Sequence, residues 1–126
     1  MDYKTPLAKV RGLGSAKEGV SHWWLQRLTA VALVPLVFWL VFSLVSLAPA
    51  DQLVVQAWLA QPFNAVLMIV LMVALLWHGQ LGLQVVVEDY ISNRSVEVVL
   101  QVLIKFTAII LAVASVLSVL KIALGA

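Results

Sequence analysis

The sequence predicts an all-α membrane protein with three transmembrane helices, and three observations carry that expectation. Hydrophobic residues make up 63% of the 126 positions against 11% charged, and the mean hydropathy is +1.07. A soluble globular domain does not sustain that ratio. Three long apolar runs follow one another, each at least as long as the roughly 20 residues that cross a bilayer as a helix. Short polar links separate them. Three such spans leave no room for an extramembrane catalytic domain, so chemistry on soluble substrates is expected from a partner and no catalytic residue is assigned here. The chain has no cysteine, which excludes disulfides, thiolate metal sites and cysteine-held iron–sulfur clusters. A formal charge of +2 is too small to suggest nucleic acid as a partner.

Residues 1–24 read as a polar, cytoplasmic N-terminal arm. Lys4, Lys9, Arg11 and Lys17 lie here, and Gly12, Gly14 and Gly19 interrupt any regular pattern before the first apolar run. The three-helix anchor proper is expected over 25–126. Its first span covers about 25–48, and the uncharged run from Leu28 to Ala50 is too long for the apolar core of a signal peptide. Trp23 and Trp24 form an interfacial pair before it, and Pro35 falls inside it, where a membrane helix tolerates proline better than a soluble one. Ala48-Pro49-Ala50-Asp51 ends the span, and residues 49–61 read as a link. Pro62 opens a second helix over 62–90, and a third follows over 96–124. The first link carries Asp51 and no basic residue, whereas the arm holds four basic residues and the second link holds Arg94. The positive-inside rule then puts the N-terminus in the cytoplasm and the C-terminus outside.

The second span contains the residue with the most chemistry. His78 is the single ionisable side chain between Gln52 and Val87, and an ionisable group at that depth usually faces the bundle interior with a function. Neutral imidazole is a ligand for heme iron, and it is equally able to join two helices by a hydrogen bond. Positions 78, 82, 85 and 89 recur at i, i+4, i+7 and i+11, so His78, Gly82 and Asp89 share one face. A glycine one turn from an imidazole leaves space for a flat macrocycle, although small residues also serve plain helix packing. Tyr90 lies about 18 Å along the axis from His78 at about 1.5 Å per residue, so an interfacial Tyr90 puts His78 near mid-membrane. Lys105 reads as a snorkelling side chain with no assigned chemistry.

The arrangement His78-x3-Gly82 followed by Asp89-Tyr90 at the end of the second of three spans resembles the hydrophobic membrane anchor subunits of succinate dehydrogenase, respiratory complex II. The opening from Arg11 through Ser21-His22-Trp23-Trp24 to Arg27-Leu28-Thr29-Ala30 is similar to the same family, particularly its bacterial members close to mitochondria. The resemblance covers most of the chain. It implies half of a heterodimeric heme-binding helical bundle, in which a second membrane anchor (cytochrome b) subunit supplies the other three helices. One heme b is then shared between the anchors, with His78 as an axial iron ligand and Arg27, Ser21 and His22 as candidates for its propionates. An iron–sulfur subunit and a flavoprotein subunit dock on the cytoplasmic side of the bacterial inner membrane. Ubiquinone is the implied substrate of the assembly, with the Tyr90 hydroxyl donating to a quinone carbonyl and Asp89 tuning the local field.

Each residue also has a plainer reading. Tyr90 could be an aromatic-belt anchor, Arg27 an ordinary positive-inside flank, and the three tryptophans near the spans packing or belt residues. Two function classes therefore stand side by side. One is a non-catalytic, cofactor-holding subunit through which electrons from succinate reach ubiquinone, with a fumarate reductase anchor as the reverse-running variant. The other is a non-redox anchor or transporter subunit in which His78 and Asp89 serve packing or proton relay.

Overall fold

The computed structural model describes residues 16–125, so the expectations for Lys4, Lys9 and Arg11 fall outside it. Four helices follow in order among the described residues: α1 (Ala16–Leu47), α2 (Gln52–Ala60), α3 (Pro62–Tyr90) and α4 (Arg94–Ala123). No strand occurs among the described residues. Helices α1, α3 and α4 are long and apolar enough to cross a membrane, with the apolar part of α1 starting at Val20. The protein is thus an all-α, multi-pass membrane protein.

The helix limits follow from local chemistry. Pro62 stands in the first turn of α3, where its missing N–H costs nothing. Asn93 caps α4, its side-chain oxygen accepting from the backbone N–H groups of Ser95 and Val96 at 3.0 and 3.3 Å. Gly125 takes φ 72° just past α4, a left-handed conformation that favours glycine at a helix end. The helical stretch of α1 includes Gly19 and residues 16–24, which the sequence suggested as irregular. One glycine is tolerated inside a long helix at a cost of about 1 kcal/mol.

Helix α2 corrects the reading of residues 49–61 as a simple link. Asp51 caps it, with Oδ1 accepting from Val54 N–H at 3.0 Å. Trp58 then stacks on Trp39 of α1 at 5.5 Å between ring centroids. The link thus folds back against the end of the bundle. Asn64, buried at the start of α3, donates to Trp58 O at 2.9 Å and to Gln61 Oε1 at 3.1 Å, which ties the α2–α3 corner together. A buried amide needs such partners.

Helix α3 is central, with α1 packed on one side and α4 on the other. On α1 the buried residues Thr29, Leu33 and Leu36 repeat at i, i+4 and i+7, whereas Phe38, Phe42 and Val45 point outward with more than two-thirds of their surface exposed. Leu33 and Leu36 close on Leu71 of α3, the most deeply buried large side chain at 1% exposure. Thr29 meets His78 and Leu36 meets Leu71, so the partner number falls as α1 advances and the two helices run antiparallel. The same holds across the other seam, where Gln101 of α4 donates to Gln84 O of α3 at 3.2 Å and a groove lower down joins Leu75 with Leu111.

Candidate functional site

His78 projects from α3 into its seam with α1, where its Nδ1 lies 3.0 Å from Thr29 Oγ1. The residue is half-buried, and among the described residues Nε2 has no hydrogen-bond partner. One turn along, a Cβ placed on Gly82 would meet nothing within 4 Å. The glycine is therefore not required by packing inside this chain, and the surface beside the imidazole is open. An imidazole with one nitrogen tied to a polar partner and the other unpartnered is the donor that heme iron takes. The residues present fit that group.

Thr29 was not singled out by sequence reasoning, because one hydroxyl in an apolar run attracts no attention by itself. A signal was nevertheless present. His22, Gln26 and Thr29 recur at i, i+4 and i+7, which makes a polar stripe at one end of the α1 face that becomes leucine-rich further on. His22 Nε2 and Gln26 Oε1 are both buried in the structure and have no hydrogen-bond partner among the described residues. Carrying the antiparallel register onward places His22 level with about Val85, between Gly82 and Asp89.

The remaining predicted residues lie along that same half of α1 and α3. Arg27 is exposed and holds its guanidinium 5.5 Å from the centre of the Trp23 ring, a cation–π contact. Trp23 and Trp24 meet edge to face at 5.1 Å. Ser21 is exposed on α1 beside His22. Asp89 and Tyr90 close α3, both exposed, with Tyr90 at 82%. No hydrogen bond or ion pair links Arg27, Asp89 and Tyr90 among the described residues. A phenol so open to its surroundings is free to donate to an incoming acceptor.

Comparison with known proteins decides the family. The model of the succinate dehydrogenase/fumarate reductase transmembrane subunit matches residues 1–120. This chain belongs to that family. A succinate dehydrogenase hydrophobic membrane anchor subunit from Rickettsia conorii is 35% identical over 118 residues, which cover 93% of this chain and 94% of the relative. The Paracoccus denitrificans subunit of the same description is 30% identical over 117 residues, covering 90% and 89%. A succinate dehydrogenase membrane anchor subunit from Reclinomonas americana is 32% identical over 96 residues, covering 74% and 80%. The resemblance read from His78, Gly82, Asp89 and Tyr90 thus led to the right family. The predicted site residues from Ser21 to Tyr90 all lie on α1 and α3, and the third span carries none of them.

Proposed function

We propose that this subunit anchors succinate dehydrogenase in the bacterial inner membrane and, with a second membrane anchor (cytochrome b) subunit, holds heme b and forms part of a ubiquinone site. The observation that carries this reading is His78, a mid-span imidazole with Nδ1 hydrogen-bonded, Nε2 without a partner among the described residues and an open surface at Gly82 beside it. His78 ligates the iron, and Gly82 leaves room for the ring. When bound, the heme supplies a one-electron carrier. The exposed Tyr90 hydroxyl donates to a quinone carbonyl, where a hydrogen bond strengthens as the oxygen gains charge on reduction. Asp89 sets the field beside it. Arg27, Ser21 and His22 stand at the same end as candidates for the heme propionates, with His22 the one whose ring nitrogen is buried and in need of a partner.

In this reading an iron–sulfur subunit and a flavoprotein subunit dock on the Tyr90 end, delivering electrons from succinate. The N-terminus is cytoplasmic and the C-terminus periplasmic, because Arg94 and the basic arm flank that end while the α1–α2 link holds only Asp51. The family also takes in fumarate reductase transmembrane subunits, the reverse-running alternative, and the direction follows from the quinone and the partner subunits. Purification of the tagged chain in mild detergent tests the reading. The expected preparation contains the other subunits, b-type absorption and succinate-driven ubiquinone reduction. A preparation with those subunits but no b-type heme overturns the cofactor assignment.

A further inference from the structure

We propose that Thr29 is the positioning residue of the heme site: its hydroxyl accepts a hydrogen bond from His78 Nδ1–H, which fixes the tautomer that presents Nε2 to iron. The inference rests on the reading of His78 as a heme ligand. It follows from counting hydrogens. The Thr29 hydroxyl stands 2.8 Å from Leu25 O, 3.0 Å from Gln26 O and 3.0 Å from His78 Nδ1. A hydroxyl has one hydrogen and two lone pairs, and a backbone carbonyl can only accept. Both carbonyl contacts therefore draw on the one hydroxyl hydrogen, shared between the i−4 and i−3 oxygens as is common in helices. None is left for the imidazole, so Nδ1 brings its own.

The opposite assignment, with the hydroxyl donating to a bare Nδ1, leaves two carbonyl oxygens facing the hydroxyl oxygen at 2.8 and 3.0 Å with no hydrogen between them. Electrostatic repulsion disfavours it. A neutral imidazole protonated on Nδ1 has its lone pair on Nε2, which is the nitrogen without a partner among the described residues. Burial of Thr29 at 8% exposure keeps competing donors and acceptors away from the contact. The hydroxyl also ties the ring to α1, so the ligand's orientation is set by the α1–α3 seam and not by α3 alone. A hydrogen bond accepted from the far N–H makes the ligating nitrogen more basic and favours ferric over ferrous iron.

Thr29→Val keeps the branched shape and deletes the hydroxyl, whereas Thr29→Ser keeps the hydroxyl. The intact complex carrying Thr29→Val is expected to show a heme midpoint potential raised by a tenfold change in the relative affinity for the two iron states, about 59 mV for a one-electron couple. Heme retention against an exogenous heme-binding protein should fall about tenfold, in line with other losses of a partner behind a metal-bound histidine. Thr29→Ser should restore both. An unchanged potential and retention in Thr29→Val, or a Thr29→Ser variant that behaves like it, overturns the proposal. Should Thr29→Val block assembly, the unaltered complex and the Thr29→Ser variant together still decide. The His78 ring mode, identified in the reduced-minus-oxidised infrared difference as the band that Thr29→Ser displaces, must show a hydrogen-bonded Nδ1–H, and a bare or non-bonded Nδ1 contradicts the assignment. Failure of the ligand reading looks different: His78→Ala would then leave the heme spectrum intact.

Discussion

Towards α1, helix α3 presents Leu71 and His78; towards α4 it presents Gln80, from which Gln84 and Glu88 follow at i+4 spacing. Both seams carry polar groups inside a membrane, yet their hydrogen bonds run differently. On the α4 side Gln80 donates to Gln84 at 3.2 Å and Gln84 to Glu88 at 3.2 Å, a ladder that ends on a carboxylate at the exposed end of the helix. Gln101 crosses from α4 to Gln84 O. That seam mostly consumes its own donors and leaves one buried acceptor, Gln101 Oε1, unmatched. On the α1 side the atoms without a partner among the described residues include His78 Nε2, His22 Nε2 and Gln26 Oε1, two of them ring nitrogens able to act on a further group. On the α4 side the amides bond along α3 and to its backbone, while an imidazole held by one nitrogen and open at the other suits a ligand.

Substitutions can break this contrast seam by seam. Leu71→Ala removes the packing centre between α1 and α3, and cavity formation of this kind costs about 2–5 kcal/mol in well-packed cores. Lipid is as apolar as leucine, so the low end of that range is expected here. Thermal denaturation of the purified complex should show the loss, together with easier release of heme. Equal stability to the unaltered complex would mean that the α1–α3 seam is not held by Leu71.

Tyr90→Phe comes next and examines the end of α3 beyond both seams. The substitution keeps the aromatic volume at the interface and deletes one hydroxyl donor. A hydrogen bond to an oxygen of developing charge is worth at least about 1.5 kcal/mol, so ubiquinone reduction should fall roughly tenfold. Succinate oxidation by a water-soluble acceptor that draws electrons ahead of the quinone should hardly change. A normal rate and affinity for ubiquinone would show that the hydroxyl is not a quinone ligand, and a parallel loss of both activities would assign Tyr90 to assembly.

The smallest effect is expected on the α4 side. Gln84→Leu removes both rungs of the ladder, i,i+4 side-chain bonds within α3 worth about 0.2–0.5 kcal/mol each, and leaves the Gln84 backbone carbonyl that accepts from Gln101 in place. A slight drop in thermal stability with an unchanged heme spectrum is the expected pair of results. A displaced heme potential would show that the α3–α4 seam communicates with the cofactor and would dissolve the contrast between the two faces.

Much of this was legible in the residues. Pro62 and Tyr90 bounded α3 because proline suits a first helical turn and the polar segment after Val87 ends the apolar run. The third span, expected over 96–124, is the helix Arg94–Ala123, displaced by a cap at Asn93 that acts two residues earlier. Helix α2 escaped notice because a short segment between two prolines looks like a link, whereas the Asp51 cap and the stacking of Trp58 on Trp39 both support the nine-residue helix. His78 stood out as an ionisable group in a long apolar run. Thr29 did not, since its significance lies in a contact 49 positions away in the chain. Local patterns report which face of a helix is polar, and only packing reports which polar atoms are left open.

The most direct measurement is the optical and redox spectrum of the heme in the intact complex carrying His78→Ala. Removal of an axial ligand should alter or abolish the low-spin b-type absorption, even where a neighbouring side chain or water fills the vacated position and the subunits still assemble. An unchanged spectrum and an unchanged midpoint potential in that variant would contradict the account.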